Sequence, residues 1–181
     1  MMQTWVALFR GINVGGNNII TMKTLVELMN KAGCEQSQSY IQSGNILFKH
    51  QDNNKAALAT LLSTLVEQHF GFKPKVLLLR ADEFCQLLAN NPFKQAYEQP
   101  KNLHLFFLEE PARSADMQKL NELKSATEQF ELQADGFYLY APDGIGRSKL
   151  AAKVEKCLGV ATTARNLNTL VKISQMLAKL S

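Results

Sequence analysis

The sequence has 181 residues, of which 46% are hydrophobic and 20% are charged, and its formal net charge is +4. This composition is typical of a globular protein with one domain or two small ones, and it excludes a disordered chain. The apolar runs are far shorter than the roughly 20 residues of a membrane span, and the first residues lack a signal-peptide pattern, so we predict a cytoplasmic protein with no membrane partner.

The first 80 residues alternate between patterns typical of strands and of helices. The first strand is apolar at nearly every position, as in a strand covered on both faces, and a glycine-rich loop follows it. The pair Ser43-Gly44 is a hairpin turn signal between two further strands. We predict strands at residues 4–9, 39–41, 45–49 and 75–80, and helices between Thr21 and Gly33 and between Asn53 or Asn54 and Gly71. This order is that of a split βαβ, ferredoxin-like half over residues 1–80.

The remaining residues repeat this order of elements. A short helix at 82–89 and a polar segment form a connection over residues 81–101. We then predict strands at 103–108, 130–132, 137–140 and 160–164, the last at a sheet edge, and helices at 114–125, 149–158 and 167–180. The fold class is therefore α+β, with two ferredoxin-like halves, antiparallel sheets and a structural duplication. The second half covers residues 102–181 and has an extra C-terminal helix.

The cysteines and histidines are scattered along the chain. Cys34, Cys85 and Cys157 form no CxxC pair, so neither a disulfide framework nor a zinc site is indicated. The three histidines have no metal-ligand spacing either. We predict no metal and no cofactor.

Charge is unevenly distributed between two neighbouring segments. Residues 81–143 carry 5 basic and 11 acidic side chains, whereas residues 144–181 carry 7 basic and 1 acidic. The basic segment is suited to binding phosphates or nucleic acid, or it pairs with the acidic segment before it.

Two polar loops of the first half contain candidate binding residues. Arg10 precedes the glycine loop, where its guanidinium is suited to binding a carboxylate or phosphate, and a purely structural loop is the alternative. The loop lacks the Walker pattern and the dinucleotide GxGxxG pattern. The hairpin tip adds polar groups that in most turns satisfy the backbone. The candidates here are Arg10, Asn13, Gly15, Gly16, Gln42, Ser43 and Asn45.

Two further candidate clusters lie in the second half. In GIGRSK at 144–149, two glycines expose backbone amides, a serine is placed to cap the next helix, and two cations flank it. A second polar cluster at 162–169 is placed at a helix start, where capping is the alternative to binding. The candidates here are Gly146, Arg147, Ser148, Lys149, Thr163, Arg165 and Asn166.

Four stretches together resemble a known bacterial family, that of domain of unknown function 1697. They are LFRGINVGG at 8–16, YIQSGN at 40–45, GIGRSKL at 144–150 and TTARN at 162–166. The resemblance covers nearly the whole chain. It implies two ferredoxin-like halves and no assigned activity.

Three hypotheses about function remain open at this point. The first is that the four motifs form a polar, basic surface for a phosphate-bearing small molecule or a nucleic acid backbone. The second is an enzyme acting on a small anionic substrate in a cleft between the halves, although the sequence offers no nucleophile elbow and no catalytic residue that we can name. The third is a purely structural role of the motifs.

Overall fold

The computed structural model describes residues 1–180, and residue 181 of the predicted second half lies outside them. Contacts divide the chain into two compact units. One is Met1–Cys85 with the end of the C-terminal helix from Leu177, and the other is Gln86–Met176. The division predicted above, 1–80, 81–101 and 102–181, stays our proposal for the domain boundaries.

The first unit is a four-stranded antiparallel sheet with two helices. Its elements are β1 (Gln3–Arg10), α1 (Met22–Lys31), β2 (Glu35–Tyr40), β3 (Asn45–His50), α2 (Lys55–Phe70) and β4 (Lys75–Arg80). The strand order is β2-β3-β1-β4, and β1 is antiparallel to both β3 and β4. This is the ferredoxin-like order that the sequence predicts.

Local signals fix where these helices begin and end. The side chain of Asn54 accepts a hydrogen bond from Ala57 N, which caps α2 at its start. Gly71 ends α2 in the left-handed conformation at φ +81°. Thr21 is the residue before α1, but its hydroxyl donates to Thr24 rather than capping the helix amides.

The core of the first unit lies between the helices and one face of the sheet. Trp5, Ala7 and Phe9 of β1 point into it at every second position. Leu25 of α1 and Leu62 of α2 pack against them, and all five side chains are buried.

The second unit repeats this topology. After α3 (Ala81–Ala89) and two 3₁₀ turns at Lys94–Glu98 and Pro100–Asn102, it contains β5 (Leu103–Leu108), α4 (Met117–Leu123), β6 (Gln129–Leu132), β7 (Gly136–Tyr140), α5 (Val154–Leu158), β8 (Thr162–Asn166) and α6 (Leu167–Leu180). The strand order is β6-β7-β5-β8, the counterpart of the first sheet. The α+β class and the two ferredoxin-like halves are therefore confirmed.

Three elements of the second unit have bounds that differ from those predicted. α4 begins three residues later than 114, because Asp116 accepts from Lys119 N and so starts the helix there. The predicted helix 149–158 begins as a 3₁₀ turn, with Lys153 N donating to Leu150 O, and only its last five residues are α-helical. β8 is an edge strand as predicted, but it lies at Thr162–Asn166 instead of 160–164.

Among residues 1–180, no helix combines the length and the apolar character needed to cross a membrane.

Candidate functional site

The glycine loop of the first unit is held open by left-handed backbone. After β1, positive φ angles occur at Gly11, Asn13, Gly15, Gly16 and Asn18. Glycine and asparagine are the residues that tolerate this region, so the composition of the loop follows from its shape. Arg10 is the last residue of β1 and lies opposite Lys75 of β4.

Asn13 joins this loop to the hairpin tip. Its Nδ2 donates to Ile20 O at 3.0 Å and to Gln42 O at 2.7 Å. Its Oδ1 accepts from Ile20 N at 2.7 Å. The side chain of Asn13 therefore binds the protein's own backbone at the end of the loop and at the hairpin tip.

The hairpin tip packs directly against the end of β1. Phe9 N donates to Gly44 O at 2.8 Å, and a Cβ on Gly44 would lie 2.7 Å from Phe9 Cβ and from Ile12 Cδ1. Asn45 is fully buried, and its Nδ2 donates to Tyr40 O and to Ser43 Oγ. The candidate residues of the first half are thus brought together, but Asn13 and Asn45 direct their amides at the chain itself.

The GIGRSK loop of the second unit lines an open pocket of about 420 Å³. The opposite wall is the end of α4 and the segment that leads to β6. The lining residues are Glu122, Leu123, Lys124, Ser125, Glu128, Asp143, Gly144, Arg147, Ser148 and Lys149.

Each of the three carboxylates in this pocket already has a partner. Glu128 is buried and accepts from Ser125 N at 2.9 Å. Asp143 accepts a short hydrogen bond from the Thr127 hydroxyl. Glu122 accepts from Lys119 and from Gln118, and the bond to Lys119 lowers the pKa of this exposed carboxyl. These carboxylates hold α4 and residues 125–128 in place.

The two cations of the loop have no such partner. Arg147 and Lys149 are exposed, and among the described residues no hydrogen bond or ion pair engages either side chain. Between them, Ser148 is buried, and its Oγ accepts from Ala151 N at 2.9 Å. The serine therefore caps a 3₁₀ turn rather than the α-helix predicted to follow it, and it fixes the backbone from which both cations project.

The cluster at 162–166 is not part of this pocket. The prediction that it lies at a helix start is wrong for Thr163 and Arg165, which are in β8; only Asn166 is at the start of α6, where its Oδ1 accepts from Thr169 N. Thr163 is buried. Arg165 Nη1 donates to Ala164 O, and burial lowers the pKa of its guanidinium to about 10.

The acidic wall of the pocket was not identified from the sequence. Its carboxylates, Glu122, Glu128 and Asp143, stand in no motif, and the first two lie well before the GIGRSK loop in the chain. The only signal was the contrast between the acidic and basic segments.

Within the described chain, no group of three or more His, Cys, Asp or Glu side chains could hold a metal ion.

Comparison with known proteins assigns the chain to a family. The chain belongs to the family described as Protein of unknown function (DUF1697), whose model matches residues 2–138. Its structure is similar to that of the conserved bacterial protein SP0830 from Streptococcus pneumoniae, with a TM-score of 0.74 and 27% sequence identity over 98% of this chain and 99% of that one. No curated protein matches the sequence. The matched residues include the glycine loop and the hairpin tip, and they end before the GIGRSK loop.

Proposed function

We propose that this member of the DUF1697 family binds a phosphate-bearing ligand in the pocket beside residues 144–149, and that it does so in the cytoplasm. The observation that carries the proposal is that, in the part of the chain that the structure describes, the acidic side chains of the pocket have hydrogen-bond partners in the protein and two of its basic side chains do not. Its carboxylates are occupied by protein donors, whereas the side chains of Arg147 and Lys149 are free among the described residues. Cys34, Cys85 and Cys157 are free thiols, as is usual in cytoplasmic proteins.

The chemistry of the two cations suits a phosphate. A guanidinium offers two parallel N–H donors to phosphate oxygens, and an ammonium adds a compact charge beside them. Gly144, which lines the pocket, has no side chain to narrow the approach, and a Cβ there would meet nothing within 4 Å. The pocket therefore has room for an anion next to both donors.

The expected affinity is modest. A hydrogen bond to a charged group contributes about 1.5–3 kcal/mol. Two such bonds correspond to a Kd between about 40 μM and 6 mM. A volume of about 420 Å³ is typical of a small-molecule site, whereas the phosphates of a nucleic acid lie along an extended chain, so we favour a small molecule.

A structural role is favoured for the motifs of the first half. The amides of Asn13 and Asn45 are used in bonds to the loop and the hairpin tip. We therefore limit the binding proposal to the second unit and leave Arg10, Gly15, Gly16, Gln42 and Ser43 outside it. No observation favours the enzyme hypothesis.

The test is a thermal-shift series with phosphate, pyrophosphate, sugar phosphates, and short DNA and RNA duplexes. The variant is Arg147→Ala with Lys149→Ala. The matched control is Lys101→Ala with Arg113→Ala, which removes the same two residue types from exposed positions of the same unit. Ligand binding to the native state raises apparent stability by mass action.

We expect a small phosphate compound to raise the Tm of the wild type and the control but not that of the variant. A duplex that shifts the Tm more than any small compound, with strong salt dependence, would favour the nucleic acid backbone. The proposal fails if every compound leaves the wild type unchanged, or if the variant responds as the control does.

A further inference from the structure

A second open pocket adjoins the phosphate pocket. It has a volume of about 460 Å³, and its lining shares Lys124 and Glu128 with the first pocket. Its other lining residues are Phe93, Met117, Asn121, Gln129, Phe130 and Glu131. Because Lys124 and Glu128 line both pockets, the two pockets are adjacent.

The second pocket has an aromatic wall that packing holds in place. Phe130 stacks on Phe137 of β7, with 5.3 Å between ring centroids and an interplanar angle of 23°. Phe93 stacks on Tyr140 with 6.2 Å between centroids. Phe130 is only half-buried, and Met117 is 42% exposed. A partly exposed ring beside a thioether is a favourable surface for a flat aromatic group.

The edges of this pocket carry amide groups that can form further hydrogen bonds. Asn121 Nδ2 donates to Met117 O at 2.8 Å, and its Oδ1 has no donor among residues 1–180. Gln129 is exposed, and within the same residues its amide has no partner. An alkyl chain would cover these amides without satisfying them, at a cost in free energy. A heteroaromatic ring has donors and acceptors on its own edge.

Lys124 lies between the two pockets. Its Nζ donates to Ser125 O at 3.5 Å and to Glu128 O at 3.3 Å. An ammonium group has three N–H donors, so one remains for a ligand.

We propose that the two pockets form one site for a nucleoside phosphate, with the phosphate at Arg147 and Lys149 and the base against Phe130 and Met117. This inference rests on the proposed function, because it assumes the same phosphate position. It adds the class of ligand: a phosphate ester of a nucleoside rather than a simple sugar phosphate or a phospholipid headgroup.

The experiment compares the Kd values of nucleoside monophosphates with all four bases, ribose 5-phosphate and pyrophosphate by isothermal titration calorimetry. Stacking of one base on an aromatic side chain accounts for about a 5- to 150-fold change in affinity. We expect at least one nucleotide to bind about 10-fold more tightly than ribose 5-phosphate. Pyrophosphate has no base, so we expect it to bind at Arg147 and Lys149 without contacting the second pocket.

Two variants test the base position. Phe130→Leu keeps an apolar side chain against Phe137 and removes the ring, and Met117→Ser changes an exposed side chain without touching the core. Each should weaken nucleotide binding about 5-fold or more and leave pyrophosphate binding unchanged. The matched control is Tyr97→Leu, which removes a ring that is 46% exposed and lies on neither pocket.

The outcomes separate this inference from the proposed function. If ribose 5-phosphate binds as tightly as every nucleotide, and that binding requires Arg147 and Lys149, the phosphate site stands and the nucleoside inference is wrong. If Phe130→Leu folds and neither it nor Met117→Ser affects nucleotide binding, the base is elsewhere and the inference is also wrong. If no phosphate compound binds, both fail.

Discussion

Removal of the Asn13 side chain should destabilise the first unit more than removal of either of the other two asparagine side chains of the glycine loop, Asn17 and Asn18. Three hydrogen bonds depend on this side chain, two of them to Ile20 and one to Gln42. Its backbone is also left-handed, at φ +52°. Asn13→Gly removes only the bonds, whereas Asn13→Ala removes the bonds and adds backbone strain.

The structure sets the size of both effects. A net contribution of about 1 kcal/mol per hydrogen bond, reduced for the exposed bond to Gln42 O, gives a loss of about 2 kcal/mol for Asn13→Gly. A residue with a Cβ in the left-handed region costs about 1 kcal/mol more, so Asn13→Ala should lose about 3 kcal/mol. The control Asn17→Ala removes one exposed bond of 3.4 Å to Gly15 O and should lose less than about 0.5 kcal/mol.

Urea unfolding monitored by tryptophan fluorescence measures these losses. The chain has one tryptophan, Trp5, which is fully buried in β1 of the same unit. With an m value of about 2 kcal/mol/M, Asn13→Ala should lower the midpoint by about 1.5 M. The reasoning is refuted if Asn13→Gly stays within about 0.5 kcal/mol of the wild type. The argument from backbone strain is refuted if Asn13→Ala is as stable as Asn13→Gly.

Two further predictions concern the packing of the hairpin tip and the partly buried His104. Gly44→Ala would place a Cβ 2.7 Å from Phe9 Cβ and Ile12 Cδ1 at a residue with φ +84°, so it should lower the free energy of unfolding by at least about 2 kcal/mol. The control Gly146→Ala has open space around the added Cβ and should cost less than about 0.5 kcal/mol. Equal Tm values for the two variants would contradict this prediction. Burial lowers the pKa of His104 to about 4 in the folded protein, against about 6.5 when unfolded, so the unfolded chain binds the extra proton between these values. Stability should therefore fall by up to about 3 kcal/mol as the pH drops from 6.5 to 4, and His104→Gln should flatten this part of the curve of unfolding free energy against pH; a variant with the wild-type pH dependence would contradict the prediction.

The sequence predicted most of the elements because their signals are local. The apolar run of β1, the Asn54 cap and the Gly71 stop each act within a few residues, so a single chain shows them. The repeated order of elements then predicted both sheets. The boundaries of α4 and β8 were less accurate. Asp116 rather than Ser114 caps α4, and both residue types are suited to that position, so the pattern alone does not choose between them. The pairing of β8 with β5 sets the range of β8, and that pairing has no local pattern.

The candidate residues show the same division between local and tertiary information. Sequence alone indicated that the asparagines and glycines of the first loop allow left-handed backbone, because that capacity belongs to each residue type. It also identified Ser148 as a cap and Arg147 and Lys149 as exposed cations. Whether those cations form ion pairs depends on which side chains the fold places near them.

Only the tertiary structure decided which charges of the second unit remain available to a ligand. The fold brings residues 122–128 next to the GIGRSK loop, and there the backbone of Ser125 and the hydroxyl of Thr127 occupy the carboxylates of Glu128 and Asp143. A sequence lists the charges of both segments but not their hydrogen-bond partners. Glu122 and Glu128 bond near neighbours in the chain, but Thr127 lies 16 residues from Asp143, and only the fold brings these two side chains together.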